Sequence, residues 1–414
     1  MIDLSRDGYT HEQVKNMLHM RKGSRQIRFR YFLLDRNENE LAELNTVESG
    51  SIEQAAFSDI KRTAKFTIKD TTYVNNEGEI SEIDWYTDRI QVFVEFKMPD
   101  EYEQRVMDDS EWYFISPGFA TNQTRKTVWT KKEGGWVTFS LGIFLISSPT
   151  KTEEGKHVYR EIEAYDKLLI LQEDKVTERH TVKAGTRYYD AMVSLLQSAG
   201  VDKINIENNN KLINNDKEWE PGTEKLKILN DLASDMNFTP FWVDEFGYFR
   251  SSQYRSPQDS PTDYIYEDDD LSVTLPGMEE ELDLFDLPNV FHVVVANPDT
   301  EEEFISMVEN NNPDHPRSIP RLGRRVVRFE EKDDIADQES LDGYVERLAS
   351  ETSQVYGKVK FSTAIMPFHS YSNVLVIRNK TLGIDHKYAE TNWSMNLEPG
   401  ADMSHEVRRV VSLT

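Results

Sequence analysis

Between Thr223 and Phe249 the spacing of apolar residues changes from a helical period to a strand period, which fits a helix packed against its own hairpin. Pro221-Gly222 interrupts whatever precedes it. Thr223 is placed to cap the helix, and Glu224 puts negative charge in the first turn, where the helix dipole favours it. Leu226, Leu229, Leu232, Ala233 and Met236 recur at three- and four-residue steps, so one face is apolar, and the predicted helix stops near Asn237. Phe238, Phe241, Trp242 and Val243 follow as a short strand. Asp244-Glu245-Phe246-Gly247 supplies a turn, and Tyr248-Phe249-Arg250 begins the return. A helix must bury its stripe, and the hairpin is the nearest apolar surface. This stretch is therefore the predicted packing centre of a small α/β module.

Elsewhere period two dominates. Residues 1–23 read as an arm in which Thr10 caps a short helix from His11 to about Met20, with Val14, Met17 and Leu18 on one side. Such a helix is marginal alone and has to dock, in this chain or on a neighbour. From Ser24, Ile27, Phe29, Tyr31 and Leu33 alternate with more polar positions; Ala64, Phe66 and Ile68 do the same, as do Ile90, Val92, Val94 and Phe96. Trp136 to Ile146 predicts a long strand bent at Gly142, with Val158 to Tyr165 returning across a turn from Pro149 to Lys156. These runs predict a first β-barrel-like domain over 24–175. The segment from Pro99 to Gly134 reads as an added hairpin carrying Trp112, Tyr113 and Trp129, either projecting or packed on its own barrel.

The α/β module is expected over 176–265, with a second helix between Val176 and Gly200 and a linker from Ser256 to Pro261. A second β-barrel-like domain with one long helix is expected over 266–414. Its strands are Val290–Ala296 (read as buried on both faces or nearly so), Lys358–Ile365, Asn373–Arg378, Tyr388–Leu397 and Met403–Val411. Its helix runs from about Gln338 to Tyr356, with Leu341, Tyr344, Val345, Leu348 and Val355 on one side. The fold class is thus mixed α+β, mainly β.

A chain of 414 residues predicts about two to four domains. No apolar run approaches the ~20 residues that span a bilayer, and the start, Met1-Ile2-Asp3-Leu4, lacks the apolar core of a secretion signal. The expectation is a protein made in the cytoplasm without classical export. Without cysteine there is no disulfide, thiolate nucleophile or thiolate metal site. The net charge of −26 argues against wrapping nucleic acid through phosphate contacts. It serves solubility, or makes a wall past which DNA slides without sticking.

Signatures of chemistry are missing. The 9 histidines include no His-Glu-x-x-His, and there is no Gly-x-Ser-x-Gly elbow or phosphate-binding glycine loop. The acid-rich run Glu267 to Asp286 lacks the alternation around a glycine that a calcium loop requires, so it reads as a solvated face. Arg321, Arg324, Arg325 and Arg328 form a local basic group beside Glu330 and Glu331. No catalytic, cofactor-binding or metal residue is assigned. Two paired carboxylates could still serve a glycosidase.

Four phrases resemble those of tail hub or tail-tip proteins of tailed bacteriophages. They are Gly135-Trp136-Val137-x-Phe139-x-Leu141-Gly142-x-Phe144-Leu145-Ile146-Ser147-Ser148-Pro149; Glu163-Ala164-Tyr165-Asp166-x-Leu168; Trp219-Glu220-Pro221-Gly222-Thr223 through Asn230-Asp231-Leu232 to Phe241-Trp242-Val243-Asp244-Glu245-x-Gly247; and Leu275-Pro276-Gly277-Met278-Glu279-Glu280-Glu281-Leu282-Asp283. The resemblance implies a baseplate-hub-like fold. Two β-barrel-like domains per subunit would alternate around a homotrimer to form a pseudo-sixfold ring in the virion's tail tip. The ring would adapt the sixfold tail tube to threefold tip structures and line the DNA exit channel without binding DNA specifically. A distal tail protein, the tape-measure protein and tail fibre or tip proteins would be its partners. The Pro99–Gly134 segment is longer than the family's usual turn there. Two other readings stand beside this one: a receptor- or glycan-binding tip protein stacking sugars on Trp112, Tyr113 and Trp129, and a cell-wall hydrolase.

Overall fold

The structure is a computed structural model that describes every residue except 21–24, 70, 76–77, 107–126, 156, 271, 283–287, 297–302, 316, 333–334, 354–356 and 410–414. Most of the period-two segments become strands of one 13-stranded sheet. Its path begins at Glu279–Leu282 and passes through Gly357–Ala364, Asp402–Arg409, Ile384–Asn396 and Val47–Ala55. It continues through Arg62–Ile68, His157–Tyr165, Trp136–Glu154, Arg89–Lys97 and Ile27–Leu34 to Glu40–Glu43. Val374–Asn379 branches from it, pairing with Ile384–Asn396 and, in parallel, with Tyr264–Glu267.

Both expected β-rich halves are present, but among the described residues the strand path is open at its two ends, so neither half closes as a barrel of its own. The reason is one long strand that serves both. Residues 384–389 of Ile384–Asn396 pair with Val374–Asn379, and residues 392–396 pair with Val47–Ala55. A bulge between Glu390 and Asn392 marks the changeover. One continuous apolar core follows, in which Leu33, Phe66, Val92 and Phe144 share a cluster with Tyr266, Phe361, Tyr388 and Met403.

The strand from Trp136 runs to Glu154, through the start of the turn expected from Pro149 to Lys156. Beyond Leu145 it has lost its Arg89–Lys97 partner and pairs only with His157–Tyr165, so Pro149, which has no N–H, sits where none is needed. Gly155, in the left-handed region, makes the turn at the far end of the expected range. The bend at Gly142 is a bulge at φ 130°.

The helix His11–His19 carries a capping box between Thr10 and Gln13, and Val14, Met17 and Leu18 enter the main core of this same chain. The arm before it is pinned across the strand starting at Trp136. Gly135 N donates to the Tyr9 hydroxyl at 2.7 Å, Thr138 N donates to Asp7 Oδ2 at 2.8 Å, and Arg6 lies 3.7 Å over the Phe139 ring.

A second core joins the helices Leu168–Glu173, Tyr188–Ser198 and Lys225–Asp235 to the strands around Phe241, Val243 and Phe249. The Lys225–Asp235 helix starts later than expected: Glu224 is its N-cap, and the Thr223 hydroxyl turns back to donate to Glu220 O at 2.7 Å. It ends as expected, with Asn237 left-handed at φ 55° and Phe238 N donating to Ala233 O. The preceding helix is shorter than the 176–200 expectation, because Gly185 and Thr186 turn the chain before Tyr188.

A third core corrects the expectation for Val290–Ala296. Helix Gln338–Ser353 covers one face of a small sheet made by Glu303–Glu309, Val290–Ala296 and Val327–Lys332. Phe291, Val293 and Val295 are buried beneath it; on the other face Val290 is buried too, whereas His292 and Val294 are only half-buried. The helix residue Val355 lies outside the described residues.

Candidate functional site

The bulge at Glu390 turns its carboxylate into the core, where two imidazoles meet it. His369 Nδ1 lies 2.7 Å from Glu390 Oε2 and His405 Nδ1 lies 2.8 Å from Oε1. The outer ring nitrogens are also bonded, His369 Nε2 to the Tyr266 hydroxyl at 2.5 Å and His405 Nε2 to Thr363 Oγ1 at 2.9 Å. Burial pushes His369 down to about 3 and His405 down to about 4, and it raises the Glu390 carboxyl. Neutral imidazoles with Nδ1–H satisfy every polar atom here. Each Nδ1–H donates to the carboxylate, and each Nε2 accepts from a hydroxyl.

This trio is the His/Glu group among the described residues whose ligand atoms, within 4.8 Å of one another, could hold a metal. The geometry fits hydrogen bonding better. An ion would have to displace both Nδ1 protons and wedge apart two direct N–H···O contacts. The hydroxyl–imidazole–carboxylate order of Thr363, His405 and Glu390 also matches that of a nucleophilic triad. All three side chains are buried in the core, so no substrate meets the hydroxyl. Sequence spacing missed the group because its members come from a loop and two strands, 15 and 21 residues apart. The strand register pairs Glu390 with Val407 and Trp393 with His405, so it is the bulge between Glu390 and Asn392 that brings Glu390 to His405, and spacing carries no signal of it.

The phrases that carry the family resemblance have structural roles. Asp166 is buried and bridges two segments: Oδ2 accepts Arg62 N at 2.8 Å, and Oδ1 accepts Leu168 N at 2.8 Å, starting the helix there. Burial pushes its carboxyl up to about 6. Arg62 is itself buried, donating Nε to Gln54 at 3.0 Å and Nη1 to Leu141 O at 2.9 Å, beneath the Gly142 bulge. Trp219 Nε1 donates to Asp231 Oδ2 at 2.9 Å, and Phe241 N donates to Asn230 Oδ1 at 2.9 Å. Asp244, buried, accepts Phe246 N and Tyr248 N, each at 2.9 Å, and Arg250 Nε at 2.6 Å. Asp244-Glu245-Phe246-Gly247 is thus the expected hairpin turn.

A polar junction ties that hairpin to the first half of the main sheet. Glu38 is held by Lys167 and Lys203 and by Arg89 at 2.9 Å, while Lys167 Nζ also donates to Gly247 O at 3.1 Å. Burial would raise the Glu38 carboxyl; the two lysines outweigh that and hold it below its ordinary value.

One cleft, about 420 Å³, is lined by Trp242, Tyr254, Arg347, Glu351, Tyr371 and Thr391 among others. Its groups serve each other. Trp242 stacks on Tyr371 at 5.3 Å, and Arg347 lies 4.7 Å over Tyr254, pairs with Glu351 at 2.8 Å and donates to Phe238 O at 2.7 Å. Among the described residues no histidine lines it.

Of the proposed sugar-stacking residues, Trp129 is 61% exposed on a strand, Thr127–Lys132, that pairs with Glu101–Val106. Trp112 and Tyr113 lie outside the described residues. Glu279, Glu280 and Glu281 of the acidic run are exposed on an edge strand of the main sheet, where charge discourages further pairing. In the basic group, Arg325 pairs with Glu309, and Arg328 with Glu330 at 2.6 Å. Among the described residues no helix is long and apolar enough to cross a membrane.

No protein-family model matches the sequence, and no curated protein matches it. Solved structures do. The tail protein from Neisseria meningitidis MC58 is 10% identical, with a TM-score of 0.58 over 92% of this chain and 96% of that one. The 43 kDa tail protein of prophage MuSo2 from Shewanella oneidensis is 9% identical, with a TM-score of 0.54 over 93% and 98%. The prophage tail protein gp18 from Listeria monocytogenes EGD-e is 11% identical, with a TM-score of 0.53 over 92% and 94%. The chain has the fold of these tail proteins along nearly its whole length. The mainly β architecture implied by the sequence phrases is the architecture found.

Proposed function

We propose that this protein is a structural component of a phage tail, a hub in the tail tip of the virion. The carrying observation is the likeness to three tail proteins over nine-tenths of the chain. Supporting it, the motif residues Asp166, Trp219, Asp231 and Asp244 hold segments together rather than converge on a cleft. In this reading, residues 24–175 and 266–414 supply the two β-rich parts of each subunit and 176–265 the module between them. Three copies form a pseudo-sixfold ring that adapts the tube to threefold tip structures, and DNA leaves through its lumen. Its neighbours are a distal tail protein, the tape-measure protein and tail fibre or tip proteins. The excess of acids suits a wall that repels phosphate. The protein has no enzymatic activity.

Imaging of assembled particles tests this. Three copies around the tip axis are expected; a single copy, or absence from the particle, overturns it. Zymography on cell-wall material should show no cleared band.

A second reading has one observation in its favour. Trp129 and Tyr102 are both exposed on the paired strands Glu101–Val106 and Thr127–Lys132. Glycan-array binding abolished by Trp129→Ala would make this a receptor-binding tip protein.

A further inference from the structure

The α/β module contains one backbone unit twice. Gly185-Thr186 recurs as Gly222-Thr223, 37 positions on. Both glycines are left-handed, at φ 82° and 89°. Each leads into an 11-residue helix, Tyr188–Ser198 or Lys225–Asp235. The helices also stop alike. Gly200 and Asn237 are left-handed, at φ 75° and 55°, and the next N–H turns back on the last turn. Val201 N donates to Leu196 O at 3.1 Å, and Phe238 N donates to Ala233 O at 2.8 Å. The strands Ile204–Ile206 and Trp242–Val243 follow. Buried apolar residues keep the same offset: Met192 with Leu229, Leu195 with Leu232, Val201 with Phe238. Over 174–206 and 211–243 only the Gly-Thr pair and Leu195 with Leu232 match residue for residue, so the repeat lies in the backbone rather than in the sequence.

The two units are threaded through each other. Val176 N donates to Thr223 O at 3.0 Å, and its counterpart Ile213 N donates to Thr186 O at 2.9 Å. In return Gly222 N donates to Val176 O at 2.7 Å, and Gly185 N donates to Ile213 O at 2.8 Å. The strands His180–Val182 and Lys217–Trp219 pair antiparallel with Thr181 opposite its own counterpart, Glu218, as a twofold axis between them requires. Among the described residues neither helix start has a side-chain cap. A carbonyl of the other unit takes the first amide instead: Tyr188 N donates to Lys211 O at 3.1 Å, and Lys225 N donates to Asp174 O at 3.0 Å. With that amide satisfied from across the axis, the Thr223 hydroxyl is left to turn back to Glu220 O.

We infer that residues 174–206 and 211–243 are two copies of one β–α–β unit, related by an approximate twofold axis, that form and open only together. Helices of this length do not persist alone. Each helix start is held by the other copy, so opening either copy uncaps its counterpart. Units stacked in simple tandem can open one at a time; units that cap each other cannot. A change of shape in the assembled protein can therefore shift this module against the main sheet as a whole, but cannot melt one half of it. The inference is independent of the hub reading above.

The test is native-state hydrogen exchange on the full-length chain, read by mass spectrometry, for the wild type and two proline variants. Circular dichroism melting confirms that each is folded. In the wild type the two helices are expected to share one opening equilibrium, with protection factors within about tenfold of each other. A wider gap overturns the inference. Val176→Pro removes the N–H that reaches Thr223, and Ile213→Pro removes the one that reaches Thr186. Each variant is expected to lower protection by about tenfold or more in both helices alike. A fall in one helix without the other, or in neither, overturns the inference. Should a proline variant fail to fold, the wild-type comparison decides: one equilibrium supports the paired unit, and two reject it.

Discussion

Arg62 and Asp166, 104 residues apart in sequence, are joined by a 2.8 Å bond from the Arg62 backbone N–H to Asp166 Oδ2. The other carboxylate oxygen starts the Leu168–Glu173 helix, so one side chain fixes where the sheet hands over to the α/β module. Asp166→Ala leaves two backbone donors without their acceptor, and we expect a loss on the order of 3 kcal/mol in chemical denaturation. Asp166→Asn keeps one acceptor oxygen and is expected to lose less.

The His369–Glu390–His405 network sets the response to acid. Both imidazoles titrate far below the ordinary value of 6.5, at about 3 and about 4. Between those values and 6.5 the unfolded chain binds the protons, so their contribution is present above 6.5 and lost as pH falls. Asp166, at about 6 against an ordinary 3.8, works the other way, and Glu390, raised by burial, works with it. The two histidine displacements each exceed that of Asp166. Stability should therefore fall from pH 6.5 to 4 by a few kcal/mol, on the order of 1.4 per displaced unit before the opposing carboxyls are subtracted. Melting temperature against pH measures this, and His405→Gln should flatten the slope.

The same network predicts indifference to metals. Its nitrogens already have hydrogen-bond partners, so chelator treatment, or added zinc or nickel, should leave the melting temperature unchanged. A rise on adding metal that His369→Gln removes would show that an ion can replace the two Nδ1 protons.

At Gly142 the backbone needs glycine twice over. Its φ of 130° disfavours any Cβ, and a Cβ built there would lie 3.2 Å from both Arg62 Nη1 and Phe144 Cζ. Gly142→Val should cost about 2–3 kcal/mol and weaken the buried Arg62 contacts. Thermal unfolding beside a Gly155→Ala control, where nothing lies within 4 Å, separates the steric part from the backbone part.

What could be read from the residues was local. The cap at Thr10, the turn at Asp244–Gly247 and the stop at Asn237 each depend on neighbours a few positions away, and each is where the pattern put it. Pro149 misled because a proline's effect depends on whether a partner strand lies on its N–H side, which is a tertiary fact. Val290–Ala296 misled because an unbroken apolar run looks the same whether its second face is packed or free. The Glu390 network was invisible for the opposite reason: its chemistry is plain, but a loop and a bulge bring it together.

The long strand shared by the two halves also governs when this molecule can finish folding. Glu53 meets Asn392, a partner 339 positions later in the chain. At roughly 5–20 residues per second, a ribosome takes tens of seconds to deliver that strand. Throughout that interval Val47–Ala55 is an uncovered edge on nascent polypeptide, open to the same segment of another nascent chain. Truncating the last strands should therefore do more than remove the C-terminus: it should leave the N-terminal half insoluble.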